Sequence, residues 1–231
     1  MIASLRKLNK EIINCHKCTR LVKFRNKIAQ DKRKQYEHET YWGKPITGFG
    51  DEKAEIVLIG LAPAAHGGTR TGRVFTGDKS SDFLFKCLYE AKLSNQAFSI
   101  KKNDNLKLKN AYITTSLKCV PPNDKPTSVE VNNCSDYLKE ELLILKNSKV
   151  IIALGKIAFD SYIKFYKKNY ENFKESIKFK HGLVFALPNG TKIVGCYHPS
   201  PRNVNTKRLN QNMMVSLFLK TNSPSYFDSI S

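Results

Sequence analysis

The sequence predicts an α/β fold, a three-layer α/β/α sandwich with a central four-stranded, mostly parallel sheet. Four short runs rich in Val and Ile show little polar alternation, which is typical of strands buried on both faces of a parallel sheet. Helical patterns lie between these runs, as a layered α/β fold requires. The length of 231 residues fits one large domain better than two. The predicted strands are residues 55–60, 111–116, 149–154 and 192–197.

Helices are predicted from apolar periodicity and from one start signal. The segment after the first strand places its apolar side chains on one face, and another segment follows the third strand directly. Thr127, followed three residues later by Glu130, forms a capping box that opens a helix. The predicted helices are residues 80–92, 127–147, 155–166 and 205–220.

We expect residues 1–231 to form a single domain, because no internal repeat or interdomain linker is visible. Residues 1–50 carry one half of a cysteine site, and residues 222–231 are expected to be a frayed tail. The sequence has no coiled-coil pattern and no exposed apolar stripe, so we expect a monomer.

The charge balance indicates an anionic partner. Lys and Arg number 39 against 20 Asp and Glu, for a formal net charge of +19. Nucleic acid is the commonest partner of such a surface. A Lys-rich proteome, in which Lys replaces other surface residues, is the alternative explanation, so charge alone does not identify the partner.

The N-terminal segment predicts an amphipathic helix interrupted by charges, not the apolar core of a secretory signal. The longest apolar runs are shorter than the ~20 residues that a membrane span needs. We therefore expect a soluble, cytoplasmic protein with no membrane partner. Its six cysteines would then lie in a reducing compartment, which favours metal ligation over disulfides.

The loops that follow the four predicted strands are unusual in composition. They read GLAPAAHGG, SLKCVPPNDKP, ALGKIAF and YHPSPRN, and three of them are rich in Pro, His, Asn or Cys. In folds of this class, ligands bind beyond the carboxyl ends of the strands. The first loop continues to residue 78 and contains five glycines, which let backbone come close to a ligand, a phosphate or a base. The four loops therefore predict one binding site.

Four of the cysteines form a candidate metal site. Cys15 and Cys18 are a C-x-x-C pair, Cys119 lies in a loop after a strand, and Cys134 lies in the first turns of the next helix. Four thiolates presented in this way can enclose a tetrahedral metal ion or an iron–sulfur cluster, and their spacing does not separate the two. The other two cysteines, at positions 87 and 196, lie in apolar patterns and are interpreted as buried core residues.

The loop motifs, taken together, resemble a known family. They read GLAPA with His66-Gly67, TGRVFTGD from Thr71, KCVPPN from Lys118 and HPSP from His198. In this order they resemble the uracil-DNA glycosylase superfamily, and most closely its fifth family, type B, which carries an iron–sulfur cluster. The similarity runs from Cys15 to about Leu209.

The fourth family of this superfamily is the nearest alternative. Its first motif resembles GEAPG, with an acidic residue. In this sequence the corresponding places are Leu61 and Ala64-Ala65, with no carboxylate or amide. That absence is characteristic of type B.

The resemblance implies a monofunctional DNA glycosylase of base-excision repair. Such an enzyme hydrolyses the N-glycosidic bond of uracil, and of other deaminated bases such as hypoxanthine, in single- or double-stranded DNA, and leaves an abasic site. It implies a structural 4Fe-4S cluster at the four cysteines, with zinc less favoured, and a location with the nucleoid. A uracil-specific fourth-family enzyme and a non-catalytic, metal-stapled nucleic-acid-binding protein are the alternatives. No signal in the sequence identifies a sliding-clamp contact.

The resemblance also assigns catalytic residues. Asp78 matches the acidic residue implicated in placing water and stabilising the sugar cation, although its position before a helix predicts an N-cap, and Asp82 is the second choice. His198 would hydrogen-bond O2 of the base as negative charge develops there. Asn123 follows two prolines and would present its amide to the base edge, which requires both a donor and an acceptor.

Substrate-binding residues follow from the same motifs. Phe75 is the candidate stacking partner of the base. Ser200 and Arg202 would hold phosphates beside the extruded nucleotide. The small residues Gly60, Ala62 and Ala64 would keep side-chain bulk away from the base, which predicts a roomy pocket and a broad substrate range.

Overall fold

The computed structural model describes residues 4–170 and 173–223. One sheet of six strands, in the order β1-β3-β2-β4-β6-β5, forms its centre. The α/β class is as predicted, but the sheet has six strands where four were expected. The strands are β1 (Phe49–Gly50), β2 (Ile56–Gly60), β3 (Ala111–Thr115), β4 (Val150–Leu154), β5 (Val184–Ala186) and β6 (Lys192–Cys196).

The four predicted strands are β2, β3, β4 and β6, each within one residue of its predicted start and end. They pair in parallel, and every residue in them is buried. The two added strands, β1 and β5, pair antiparallel at the edges and have only two and three residues. Strands this short carry no apolar periodicity, which is why the sequence did not predict them.

Eight helices cover the sheet in the part of the chain that is described. They are α1 (Leu5–Ile13), α2 (Thr19–Gln30), α3 (Gly68–Thr71), α4 (Lys79–Glu90), α5 (Ser128–Ile144), α6 (Lys156–Asn169), α7 (Pro201–Asn205) and α8 (Gln211–Thr221). Successive side chains of a strand point to opposite faces of the sheet. Accordingly, Leu58 packs in a core that α4 and α8 cover, and Ile59 packs in a second core that α1, α5 and α6 cover.

The capping box at the start of α5 is present. Thr127 Oγ1 accepts a hydrogen bond from the Glu130 amide at 3.2 Å, and the Glu130 carboxylate accepts one from the Thr127 amide at 2.8 Å. The helix predicted at 205–220 is present as α8, but its predicted start is wrong, because residues 206–210 are not helical and separate α8 from α7. Lys207 adopts a left-handed conformation with φ of 57°, and the Asn210 side chain caps α8, so the break is built from local turn chemistry.

Two further expectations concern buried and terminal residues. Cys87 and Cys196 are fully buried in the core, as predicted. The tail expected at 222–231 lies outside the described residues from position 224 onward. Within residues 4–170 and 173–223, no helix combines the length and the apolar character needed to cross a membrane.

A buried ion pair fixes the loop after β3. Lys118 Nζ lies 2.6 Å from Oε2 of Glu141 on α5, and the two side chains are 1% and 0% exposed. Thr114 and the Gly48 amide complete the hydrogen bonding of the carboxylate. Because a buried charge needs its partner, this pair holds the start of the KCVPP loop against α5.

Candidate active site

All four loops that follow the parallel strands contribute residues to one cavity of about 420 Å³. A narrower recess of about 50 Å³ adjoins it and shares four of its lining residues. The shared residues are Ala62, Ala64, Ser80 and His198. The recess is further lined by Pro63, Val74, Phe75 and Asp78. The structure therefore brings the first and last motifs together at the sheet edge where they were expected to meet.

One carboxylate oxygen of Asp78 caps the N-terminus of α4, and the other lies beside the glycine-rich loop. Its Oδ1 accepts a hydrogen bond from the Ser81 amide at 2.9 Å and so caps α4. A Cβ atom on Gly67 would lie 1.9 Å from its Oδ2. Burial raises the pKa of Asp78, and hydrogen bonds from the Ser81 and Ser80 amides only partly offset that effect. Asp78 can therefore cap α4 and line the recess at the same time.

Two buried arginines hold the segment that leads to Asp78. Arg70 donates hydrogen bonds to the carbonyl oxygens of His66 and Gly77, both at 2.8 Å. Arg73 donates to both carboxylate oxygens of Asp104, at 2.8 and 2.7 Å. Burial would raise the pKa of Asp104, but the hydrogen bonds from Arg73 and the backbone outweigh it and lower that pKa to about 2. Sequence reasoning did not identify these arginines, because their partners lie up to 31 residues away.

Phe75 faces His198 across the recess. Their ring centroids are 6.2 Å apart and their planes are inclined by 37°. Phe75 has a left-handed backbone with φ of 45°. A Cβ atom on Gly60 would lie 2.9 Å from Cε2 of Phe75, so only glycine leaves room for the ring at the end of β2.

The backbone of His198 is held in place just after the carboxyl end of β6. The Asn203 side-chain amide donates to the His198 carbonyl oxygen at 2.8 Å. Burial lowers the pKa of His198, and the charge of Asp124 acts in the opposite direction. The imidazole is therefore neutral near pH 7, so one ring nitrogen can donate a hydrogen bond without bringing a positive charge into the recess.

The residues predicted to bind substrate are not all at the cavity. Ser200 lines the larger cavity and also caps α7 by accepting a hydrogen bond from the Asn203 amide at 3.4 Å. Arg202 is exposed in the first turn of α7, and its side chain does not line either cavity. Gly60 lies under Phe75 and contributes space instead of a contact.

Asn123 is exposed and lines neither cavity. It lies in a 3₁₀ turn (Pro122–Asp124) with a left-handed φ of 53°. Its neighbour Asp124 lines the larger cavity and acts on His198. Sequence reasoning missed Asp124, although it lies one residue from the position that was chosen in the same loop.

The candidate metal residues are brought to one region. Cys119 and Cys134 are buried and pack with Cys18 in a small core between α2 and α5. Burial raises the pKa of Cys134 to about 12. Burial also raises the pKa of Cys119, and charges on Cys15 and Cys18 act in the same direction.

Arg25, which is 3% exposed, lies among these cysteines. It donates a hydrogen bond to Sγ of Cys119 at 3.2 Å and others to the Cys15 carbonyl oxygen at 3.3 Å. A buried cation next to a thiol favours the thiolate, which is the form that ligates metal. Over the described ranges, no group of three or more His, Cys, Asp or Glu side chains is arranged to hold a metal ion.

A separate cavity of about 280 Å³ lies between α5 and α6. Its lining includes Leu142, Leu143, Tyr162 and Tyr170. It contains none of the predicted site residues. The predicted catalytic residues Asp78 and His198 line the recess instead.

Comparisons with known proteins match most of the chain. A family model described as the uracil DNA glycosylase superfamily matches residues 47–221. The type-5 uracil-DNA glycosylase of Pyrobaculum aerophilum is 42% identical over 198 residues, which cover 86% of this chain and 83% of that protein. The type-5 enzyme of Mycobacterium leprae is 38% identical over 93% of each chain. The type-4 uracil-DNA glycosylase of Archaeoglobus fulgidus is 31% identical over 67% of this chain and 70% of its own.

Proposed function

The chain belongs to the uracil DNA glycosylase superfamily, and on this premise we propose that it is a type-5 uracil-DNA glycosylase of base-excision repair. It is an enzyme that hydrolyses the N-glycosidic bond of uracil in DNA and leaves an abasic site. The observation that carries the proposal is the convergence of Asp78, Phe75 and His198 on one recess. The higher identity to the type-5 than to the type-4 relatives favours the fifth family.

The target nucleotide must leave the base stack before C1′ becomes accessible, at a cost of a few kcal/mol. In our proposal the extruded base enters the recess and stacks on Phe75, which is 8% exposed. The glycines and alanines of the first motif leave room for the nucleotide backbone. Ser200 contacts a phosphate from the larger cavity, and exposed Arg202 contacts the next phosphate along the strand.

His198 stabilises the leaving base. As the bond between C1′ and the base nitrogen breaks, its electron pair moves onto the base and negative charge develops at O2. A neutral imidazole that donates a hydrogen bond there stabilises this charge, and its lowered pKa keeps it neutral. Asn123, exposed beside the cavity-lining Asp124, is assigned to the outer edge of the base.

Asp78 acts on the sugar and on the attacking water. Its Oδ2 is free of the helix cap and supplies the negative charge that stabilises the sugar cation. The water oxygen forms the new bond to C1′, and the water proton passes to the carboxylate and from there to the departed base. This role requires Asp78 to be ionised.

The cysteines are proposed to hold a 4Fe-4S cluster through Cys15, Cys18, Cys119 and Cys134. Bound there, the cluster supplies a structural cross-link between the N-terminal helices and the KCVPP loop. A four-iron cluster binds each thiolate through a different iron, so its cysteines do not have to meet at one ion as they do around zinc. Support comes from the shared packing of three of the cysteines and from the hydrogen bond of Arg25 to Cys119.

We also propose that the chain acts as a single-domain monomer in the cytoplasm, on chromosomal DNA. The formal net charge of +19 supports binding to the phosphate backbone, and affinity for DNA should fall with salt. The absence of a carboxylate or amide at Ala64-Ala65 supports a broad base range that includes hypoxanthine.

The test is incubation of the purified protein with single-stranded and duplex oligonucleotides that contain one uracil or one hypoxanthine, followed by alkaline cleavage. The wild-type protein should cleave both bases from DNA. Asp78→Ala should lose most activity, while Asp82→Ala, which removes a neighbouring exposed carboxylate, should retain it. Binding without cleavage would support the non-catalytic alternative. Cleavage of uracil but never of hypoxanthine would support the fourth-family alternative.

A further inference from the structure

Ile157 is an exposed aliphatic side chain on the rim of the active-site cavity. It is 59% exposed and lines the 420 Å³ cavity together with His198 and Ser200. Among the large apolar side chains that are exposed in the described part of the chain, it is the one that lines this cavity. Single exposed apolar side chains are common on protein surfaces, so the informative feature of Ile157 is its position at the rim of this cavity.

The backbone that carries Ile157 is fixed relative to His198. The Gly155 amide donates to the Cys196 carbonyl oxygen at 2.7 Å, and its left-handed φ of 98° turns the chain from β4 into α6. A Cβ atom on Gly155 would lie 3.1 Å from Cβ of His198. Ala158 and Phe159, the next residues of the helix, are buried. Ile157 is therefore presented from a rigid helix start, at a constant distance from the recess.

The surroundings of Ile157 suit a DNA backbone. The first turn of α6 contains no acidic residue, and the adjacent Lys156 is exposed and pairs only with Asp160 one turn further on. By contrast, the loop after β6 places the polar Arg202 at its exposed tip. The same segment carries Pro201, which is exposed, and Val204, which is half-buried, but only Ile157 on α6 is a largely exposed aliphatic side chain that also lines the cavity.

We propose that Ile157 is the wedge that enters the base stack when the target nucleotide leaves it. This inference rests on the proposed function and adds the residue that makes extrusion from a duplex favourable. Proteins that open DNA commonly insert an apolar side chain between base steps. Burial of Ile157 in the vacated space removes its exposed surface from water and offsets part of the loss of stacking.

The test compares Ile157→Ala with Leu143→Ala on the same uracil in single-stranded and in duplex DNA. Leu143 is 58% exposed on α5 and lies at the other cavity, so it is a matched control. A wedge acts only where a stack must be opened. Ile157→Ala should therefore lower kcat/KM on duplex DNA by about tenfold or more and leave single-stranded DNA within about twofold. Leu143→Ala should leave both unchanged, and Ile157→Leu should restore most duplex activity.

A second measurement reports on extrusion directly. The fluorescence of 2-aminopurine next to the target uracil rises when the stack opens, and Ile157→Ala should reduce that rise in an Asp78→Asn background, where the base stays attached. An equal loss of kcat/KM on single-stranded and duplex DNA would show that Ile157 only lines the pocket, and would overturn the inference. Full activity of Ile157→Ala on duplex DNA would also overturn it. If the wild-type protein does not act on single-stranded uracil DNA, the proposed function itself fails.

Discussion

Gly67 and Asp78 are so close that a Cβ atom on Gly67 would lie 1.9 Å from Oδ2 of Asp78. The φ of Gly67 is −101°, outside the left-handed region, and the close approach of Asp78 leaves no room for a Cβ atom there. The other oxygen of Asp78 is held by the cap of α4. The carboxylate therefore cannot move aside without losing the cap.

Gly67→Ala should impair the enzyme nearly as much as Asp78→Ala does. The added methyl group displaces the carboxylate that we assign to the sugar and the water, and groups in this role typically contribute ~10²–10⁴-fold to the rate. The measurement is kcat on single-stranded uracil DNA. In an Asp78→Ala background, Gly67→Ala should add little further loss. If the losses in kcat from the two substitutions multiplied in the double variant, displacement of Asp78 would not be the cause of the Gly67→Ala defect.

Activity should fall in acid at a higher pH than for an ordinary aspartate. Burial raises the pKa of Asp78 above its usual 3.8, and the ionised form is the active one. The pH at which kcat/KM falls to half on the acid side should therefore lie above that value. A half-maximal pH at or below 3.8 would show that the ionisation of another group controls the rate.

The same shift determines the stability of Asp78→Asn. Because the folded protein binds this proton more tightly than the unfolded chain, Asp78 contributes more stability as the pH falls through its folded pKa. At pH 7 the charge is a penalty, and Asn caps helices about as well as Asp. Asp78→Asn should therefore unfold in urea at the same or a higher concentration than wild type at pH 7. That advantage should disappear in acid.

Phe75→Gly should be more stable than Phe75→Ala. Both lose the ring, but Ala at a φ of 45° pays about 1–2 kcal/mol for the left-handed conformation and Gly does not. Urea denaturation of the two variants measures the difference. At Lys86, an exposed position inside α4, the order should reverse, with Gly about 1 kcal/mol less stable than Ala. The same stability order of the Gly and Ala variants at both positions would contradict the explanation from the left-handed backbone of Phe75.

Cys119→Ala should remove most of the iron from the purified protein, together with its broad visible absorption. Cys87→Ala should retain both, because Cys87 is fully buried on α4 in a different core from Cys119 and Cys134. Iron analysis and an absorption spectrum check this prediction. Zinc in place of iron in protein purified without oxygen would contradict the four-iron assignment.

Arg25→Met should leave the cysteines in place but remove the donor to Cys119. Hydrogen bonds and positive charge near the sulfurs raise the reduction potential of a cluster, so the midpoint potential should become more negative. Electrochemical titration of the variant measures it. An unchanged potential would show that Arg25 serves packing alone.

The loop after β3 illustrates how far the sequence could predict the site. Its composition predicted a functional loop, and one of its residues lines the cavity. Asn123 and Asp124 are both exposed, but only Asp124 lines the cavity. Two successive left-handed residues decide which side chain points inward, and no periodicity reports them.

The sequence by itself determined the four central strands, the capping box of α5 and the order of the motifs, because each depends on neighbours a few residues apart. Only the tertiary structure decided that Gly67 must leave room for Asp78, that Arg25 lies on Cys119 and that Ile157 stands at the rim. These relationships join segments that are distant in the chain or set by how a turn is oriented. Burial and contact arise only when the sheet brings its loops to one edge, so local pattern cannot encode them.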